Sequence, residues 1–223
     1  MDRAKWSAVD AYIVDKIATS DFALDAALAA NAAAGLPPHD VSPPQGKLLY
    51  LLARMARARK VLEIGALGGY STIWLARALP ADGFVVTLEA VAKHAEVARE
   101  NIRRAGLAGQ VRVRVGPALE SLPRIAEEGI GPFDFIFIDA DKPRNADYLG
   151  WALRLARPGT VIVCDNVVRE GAILDRTSVD PSVQGTRRMF DMIGKDTRLS
   201  ATAIQTVGAK SWDGFAIAIV DRV

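Results

Sequence analysis

From Lys60 onward, short apolar runs alternate with stretches whose apolar residues recur three and four positions apart. The runs read as strands and the stretches between them as helices. This pattern predicts strands over 61–64, 84–89, 111–115, 133–138 and 161–164. Helices are expected over 71–79, 92–105, 118–127 and 145–156. Near the end, residues 189–193 look helical, and 199–207 and 215–220 look like two last strands joined by a loop over 208–214. Repeated strand–helix–strand units imply an α/β fold with a parallel sheet and helices on both faces. Before Lys60 the pattern is helical. Trp6, Val9, Ile13 and Ile17 share one spacing, and an Ala-rich segment runs from Phe22, broken by Asp25 and Asn31. Ser20 and Asp21 suit caps between the two helices. These helices can pack on the sheet, cover a site at its edge, or pair two copies of the chain. A turn-rich connector follows over 35–44. Next comes a helix with Ser42 as cap, Pro43 in its first turn and an apolar stripe of Leu48, Leu49, Leu52 and Met55.

The segment Phe133-Asp134-Phe135-Ile136-Phe137-Ile138 is apolar enough for burial on both faces. Asp139, Asp141 and Lys142 follow directly, where ligands bind in open α/β sheets, beyond the strands' carboxyl ends. A second chemical feature is Glu63-Ile-Gly65-Ala-Leu67-Gly68-Gly69-Tyr-Ser71, which links a strand to a helix. Its glycines allow close backbone approach, and the helix start offers free N–H groups. Glu89 ends the next strand at the spacing of a ribose-binding acid. A nicotinamide dinucleotide fold is therefore one reading. Leu67 stands against it, at the middle glycine position of the usual fingerprint. Glu63, two residues before the first glycine, suits a ligand with a cationic amino group. Asp165 and Asn166 end a further strand and could reach the same crevice as Asp139. Oxygen donors of this kind suit Mg²⁺, Mn²⁺ or Ca²⁺. In the plainer alternative Asp139 and Asp141 cap a helix and Asp165-Asn166 make a turn. No Cys/His cluster calls for zinc. His39 could act as ligand or base, or stand solvated in its loop.

Composition narrows the function. The 223 residues are 50% hydrophobic and 24% charged, enough for one domain over 1–223 with a sizeable core, residues 1–34 forming an N-terminal helical extension. Net charge is +2 with both signs mixed along the chain, which gives no electrostatic case for nucleic acid. No run of about 18 apolar residues suggests a membrane span. The first residues lack a signal-peptide pattern. Cys164 is the one cysteine, so no internal disulfide forms and a reducing, cytoplasmic setting is expected.

Several stretches together resemble the cation-dependent O-methyltransferases that act on catechols and caffeoyl-CoA, within the class I S-adenosylmethionine (SAM) methyltransferases. They are Val41-Ser-Pro-x-Gln45-Gly46, the loop from Glu63 to Ser71, Gly116-Pro117-Ala118-Leu119, Asp139-Ala-Asp141-Lys142, Asp165-Asn166 and Asp213-Gly214. The resemblance covers roughly residues 36–220. It implies a Rossmann-like fold with a seven-stranded, mostly parallel sheet whose last strand is antiparallel. It also implies methyl transfer from SAM to a hydroxyl of a vicinal dihydroxy aromatic small molecule, by a homodimer. Glu63 and Gly65 would lie near the methionine part of SAM, supported by Ser71, and Val41, Gly69 and Asp139 would border the cofactor. Glu89 would bind the ribose, Gly116 and Ala118 the adenine, and Asp141 the amino-acid group. Asp139, Asp165 and Asn166 would hold the metal. Lys142 would be the general base, or the cation that steadies the phenolate. Residues 169–185, Val41 and Trp212 would shape the aromatic pocket, although Trp212 could equally be a packing residue. Two positions depart from the family pattern: Asp40, where an apolar residue is common, and Gln45, where an acid is. The strand before Lys142 also ends without the Asn/Asp-Pro-Pro-aromatic motif of nucleic-acid methyltransferases.

Overall fold

The computed structural model describes residues 2–222. The chain opens with helices α1 (Arg3–Lys16), α2 (Phe22–Ala33) and α3 (Pro43–Met55). Strands and helices then alternate: β1 (Lys60–Ile64), α4 (Tyr70–Arg77), β2 (Phe84–Glu89), α5 (Ala92–Arg104), β3 (Val111–Val115), α6 (Ala118–Glu127) and β4 (Phe133–Ile138). After them come α7 (Asn145–Arg154), β5 (Ala156–Asp165), α8 (Pro181–Lys195), β6 (Leu199–Gly208) and β7 (Ser211–Val220). Asp21 and Ser42 cap α2 and α3 through their side chains, and Pro43 begins α3.

The strands form one seven-stranded sheet in the order β3-β2-β1-β4-β5-β7-β6. The pairs from β3 to β5 are parallel, and β7 runs antiparallel to both neighbours. The expected Rossmann-like class I methyltransferase sheet is therefore present. The order reverses between β1 and β4, which sets a crevice at their carboxyl ends. Side chains alternate across the sheet. Leu62, Ile64, Ile136 and Ile138 pack with α6, α7 and α8 on one face, while Val61, Phe135 and Phe137 pack with α2 to α5 on the other. Every residue of β4 is buried, as its composition requires. No helix among the described residues is long and apolar enough to cross a membrane.

Several elements differ from the sequence expectation: β5 begins at Ala156 rather than Val161, so α7 stops at Arg154, and three others differ as well. The loop expected over 208–214 is a two-residue turn, because pairing continues through Gly208↔Ser211 and Val207↔Trp212. Gly214 permits this: a Cβ there would lie 2.3 Å from the Ile204 carbonyl oxygen. Helix α8 begins eight residues before Met189, capped by Asp180 with Pro181 in its first turn. In α1 no residue is buried, and Val9 and Ile17 are 52% and 73% exposed. This helix lies at the rim, against α3 and edge strand β6, where too little of the molecule remains to cover its stripe.

Candidate active site

The turn after β1 is a backbone construction. Gly65, Leu67 and Gly69 all have positive φ, at 105°, 47° and 82°. A Cβ on Gly65 would lie 2.4 Å from the Asp139 carbonyl oxygen, so only glycine lets the turn pass the end of β4. Gly69 starts α4 without a side-chain cap, which leaves the first N–H groups of that helix for another acceptor.

Glu63 lies beneath this turn and is fully buried. The Ser71 and Thr87 hydroxyls donate to its two oxygens at 2.6 Å each, and Thr72 donates as well. Burial pushes the Glu63 carboxyl up to about 7, against the downward pull of the three hydroxyls. One carboxylate thus ties the first turn of α4 to β2. Glu89, 8% exposed, accepts the backbone N–H of Leu67 at 2.8 Å and of Val91 at 2.9 Å. His94 Nδ1 stands 3.5 Å from it. A carboxylate has about four acceptor directions, so Glu89 keeps capacity for hydroxyl donors. Gly116, with φ 130°, would bring an added Cβ near nothing within 4 Å, so its surroundings are open. Half-buried Ala118 begins α6.

Asp139 follows β4 and Asp165 ends the neighbouring β5, and the pairing Ile138↔Cys164 brings the two level. Lys142 Nζ donates to Asp139 Oδ1 at 2.6 Å, and the two side chains are only 11% and 17% exposed. Burial raises the Asp139 carboxyl, opposed by the Lys142 charge. Burial, and after it the Asp139 charge, push Asp165 up to about 7. Two buried carboxylates against one ammonium leave excess negative charge that a cation would relieve. Asn166 adds an amide oxygen to this set. Its φ of 57° is a left-handed conformation, and its N–H donates to Asp165 Oδ1 at 2.8 Å. Among the described residues no group of three carboxylate, imidazole or thiol side chains gathers for a metal. A site here needs the amide as its third ligand. Asp141 is exposed, accepts from the buried Tyr148 hydroxyl, and lies 3.5 Å from Arg144 Nε.

A cavity of about 220 Å³ opens on Asp165 and Asn166, lined also by Gln45, Phe215, Asp10 and Lys210 among others, while Asp139 and Lys142 lie outside its lining. Its walls come from α1, α3 and the β6–β7 hairpin. Residues 169–185, expected to shape the pocket, do not line it. Nor does Trp212, whose indole packs over Gly171 and donates to Gln205 at 3.1 Å. His39 is exposed in its loop, and Val41 is buried beside it. Cys164 is buried, and burial pushes its thiol up to about 12.

Sequence reasoning missed Thr72, Thr87, Tyr148 and His94, all second partners of residues it did single out. It also missed Asp10 and Lys210. Asp10 accepts the Ala209 N–H at 2.7 Å, and Lys210 donates to the Pro38 carbonyl at 2.9 Å. No local signal marks contacts across nearly the whole chain.

Comparison with known proteins gives the family. A family model described as O-methyltransferase matches residues 16–217. A catechol O-methyltransferase of Niastella koreensis is 54% identical over 220 residues, 99% of this chain and 100% of that protein. One of Mycobacterium tuberculosis is 57% identical over 212 residues, covering 95% and 94% of the two chains. The crystal structure of an O-methyltransferase from Bacillus cereus in complex with SAH superposes with a TM-score of 0.97 at 58% identity, covering 98% of this chain and 100% of that one. The chain belongs to the O-methyltransferase family.

Proposed function

We propose that the protein transfers a methyl group from SAM to one hydroxyl of a catechol-like aromatic small molecule, with a divalent cation bound at the acceptor site. The observation that carries this reading is that β4 and β5 set Asp139, paired with Lys142, level with Asp165, and that Asp165 and Asn166 line the neighbouring cavity. The SAH-bound relative and the relatives named catechol O-methyltransferase support the cofactor and the acceptor class.

SAM fits the glycine turn and its surroundings. Gly65 and Gly69 let the backbone approach it, and Glu63 holds Ser71 and the start of α4 in place. Glu89 keeps acceptor capacity for ribose hydroxyls; we assign Gly116, beside open space, and Ala118 to adenine, Asp141 to the amino-acid group, and Val41 to the border of the cofactor. SAM supplies a methyl group on a cationic sulfur. A hard cation fits the all-oxygen set of Asp139, Asp165 and Asn166, with Mg²⁺ first and Mn²⁺ or Ca²⁺ as alternatives. When bound, it lowers the pKa of a coordinated hydroxyl and fixes the ring. Lys142 either takes the hydroxyl proton or, as an ammonium, offsets the phenolate charge, and its ion pair with Asp139 supports the second role. The rest of the protein contributes proximity and orientation.

We also propose a homodimer that uses the exposed apolar surface of α1 and β6, where Val9, Ile17, Ile204 and Val207 are at least half exposed. An Ile204→Glu variant should sediment as a monomer where the wild type sediments as a dimer. The buried lone thiol accords with a cytoplasmic setting. The deciding experiment follows labelled methyl from SAM onto a panel of catechols, with and without chelator. Transfer should need both neighbouring hydroxyls and should stop in chelator. Full activity in excess chelator removes the metal assignment, and no transfer to any diol with Mg²⁺ present removes the reaction. Lys142→Ala should lower turnover far more than SAM affinity.

A further inference from the structure

Two buried asparagines join the cofactor turn to the segment that precedes α3. Asn31, in the last turn of α2, is 2% exposed, and Asn101, in α5, is 1% exposed. Asn101 Nδ2 donates to the Gly68 carbonyl at 2.9 Å and to Asn31 Oδ1 at 3.0 Å. Asn31 Nδ2 donates to Asp40 Oδ1 at 2.8 Å. A Cβ on Gly68 would lie 1.8 Å from Asn31 Oδ1, so the turn rests directly on this amide. Burying two amides is costly unless they are hydrogen-bonded; Asn31 uses both its amide N–H and its oxygen and Asn101 uses its N–H groups, while Asn101 Oδ1 has no hydrogen-bond partner. The relay therefore runs from Gly68, beside the start of α4, to Asp40, next to buried Val41. Burial raises the Asp40 carboxyl, and the Asn31 hydrogen bond works against that rise. The Asp40 carboxylate gives Asn31 an acceptor that an apolar side chain could not supply.

We propose that Asn31, Asn101 and Asp40 are positioning residues for the cofactor. They lock the Gly68 peptide and the Asp40–Val41 segment in the arrangement that receives SAM, so that α2 is part of the cofactor site although it contributes no group that touches SAM. The proposal rests on the SAM reading above and is independent of the metal assignment. A relay that positions the turn should affect cofactor binding more than the chemical step. A relay that only holds α2 in place should lower thermal stability and leave the affinity of folded protein unchanged.

The test is SAH binding by calorimetry on the full chain, together with KM for SAM, kcat and Tm. Wild type that fails to bind SAH overturns the SAM reading itself, and this proposal with it. Given wild-type binding, Asn31→Ala should raise Kd for SAH and KM for SAM about tenfold, with kcat at saturating SAM within about threefold. Asp40 is only half-buried, so its variants decide the matter if Asn31→Ala does not fold. Asp40→Leu should weaken SAH binding in the same direction. Asp40→Asn retains an oxygen for the Asn31 N–H and should restore wild-type affinity. Folded Asn31→Ala, or folded Asp40→Leu, that binds SAH within twofold of wild type overturns the proposal. Equal affinity of Asp40→Asn and Asp40→Leu does so too.

Discussion

Replacing Glu63 by glutamine should make stability less dependent on pH. Glu63 has no contact with solvent, and burial lifts its carboxyl from an ordinary 4.5 to about 7. The folded-state pKa is raised, so the protonated acid is the form that folding favours. Its stabilising contribution is complete below about 4.5, declines as pH rises, and is lost once pH passes about 7. The gap corresponds to about 3 kcal/mol, at roughly 1.4 kcal/mol for each tenfold change in proton affinity. Glutamine has similar shape and cannot ionise. It keeps one oxygen for the Ser71, Thr72 and Thr87 hydroxyls, so it loses part of their hydrogen bonding at every pH. Urea unfolding of wild type and Glu63→Gln at pH 5, 6, 7 and 8 separates the two effects. The variant should be less stable than wild type at pH 5, and the difference should shrink or reverse by pH 8. Subtracting the curves removes groups that do not interact with Glu63; the nearby Asp139 charge, which also raises Glu63, remains part of the difference. Parallel curves over the whole range would refute the argument, because they would mean that the three hydroxyls hold Glu63 ionised at no cost.

Two further outcomes follow from backbone geometry and from charge. Gly65→Ala places a Cβ against the Asp139 backbone at positive φ, and should cost about 2 kcal/mol or more of stability and abolish SAH binding; guanidinium unfolding and calorimetry check both parts, and near-wild-type values would contradict the close approach. Asp165, raised to about 7, must lose its proton to hold a cation, so the Mg²⁺ concentration for half-maximal activity should rise several-fold between pH 8 and pH 6; a flat titration would place the metal elsewhere.

The sheet was legible because its order is local. Strands β1, β2 and β4 and the second half of β5 are short, largely apolar runs, β3 alternates valine with arginine, and each crossover carries a helical repeat, so Phe133 to Ile138 could be assigned to a buried strand from composition alone. The charged ends of β4 and β5 were legible for the same reason, since strand ends in this architecture point to one crevice. The ends of elements were harder. The segment from Gly208 to Gly214 has the composition of a loop, yet Gly214 serves strand pairing by admitting the Ile204 carbonyl. Asp180-Pro181 is a strong helix start, but before Met189 the helix it opens buries only one aliphatic side chain, Val183, beside Gly185 and Thr186, so its apolar repeat is thin.

The acceptor side lay beyond sequence reasoning for a physical reason. A cofactor turn needs special backbone angles, so it carries glycines at fixed intervals. A metal set needs particular atoms, so it carries acids at strand ends. A cavity wall needs only side chains of suitable size, and they can come from anywhere. Here Asp10 meets Ala209 and Lys210 meets Pro38, contacts that close the cavity with the first helix and the last hairpin. The apolar stripe of α1 predicted burial, but that helix is placed by two polar contacts: Asp10, at its middle, to the hairpin, and Arg3, at its start, to Glu170 at 2.6 Å. Both contacts are exposed, and exposed pairs contribute little to stability. The wall of this cavity, the proposed acceptor site, is therefore weakly held by its own chain. It can shift to admit an acceptor while β1, β4 and β5 hold Asp139 and Asp165 fixed. Catalytic groups on the rigid sheet and specificity on the lightly fixed rim would let the acceptor change from relative to relative without disturbing methyl transfer.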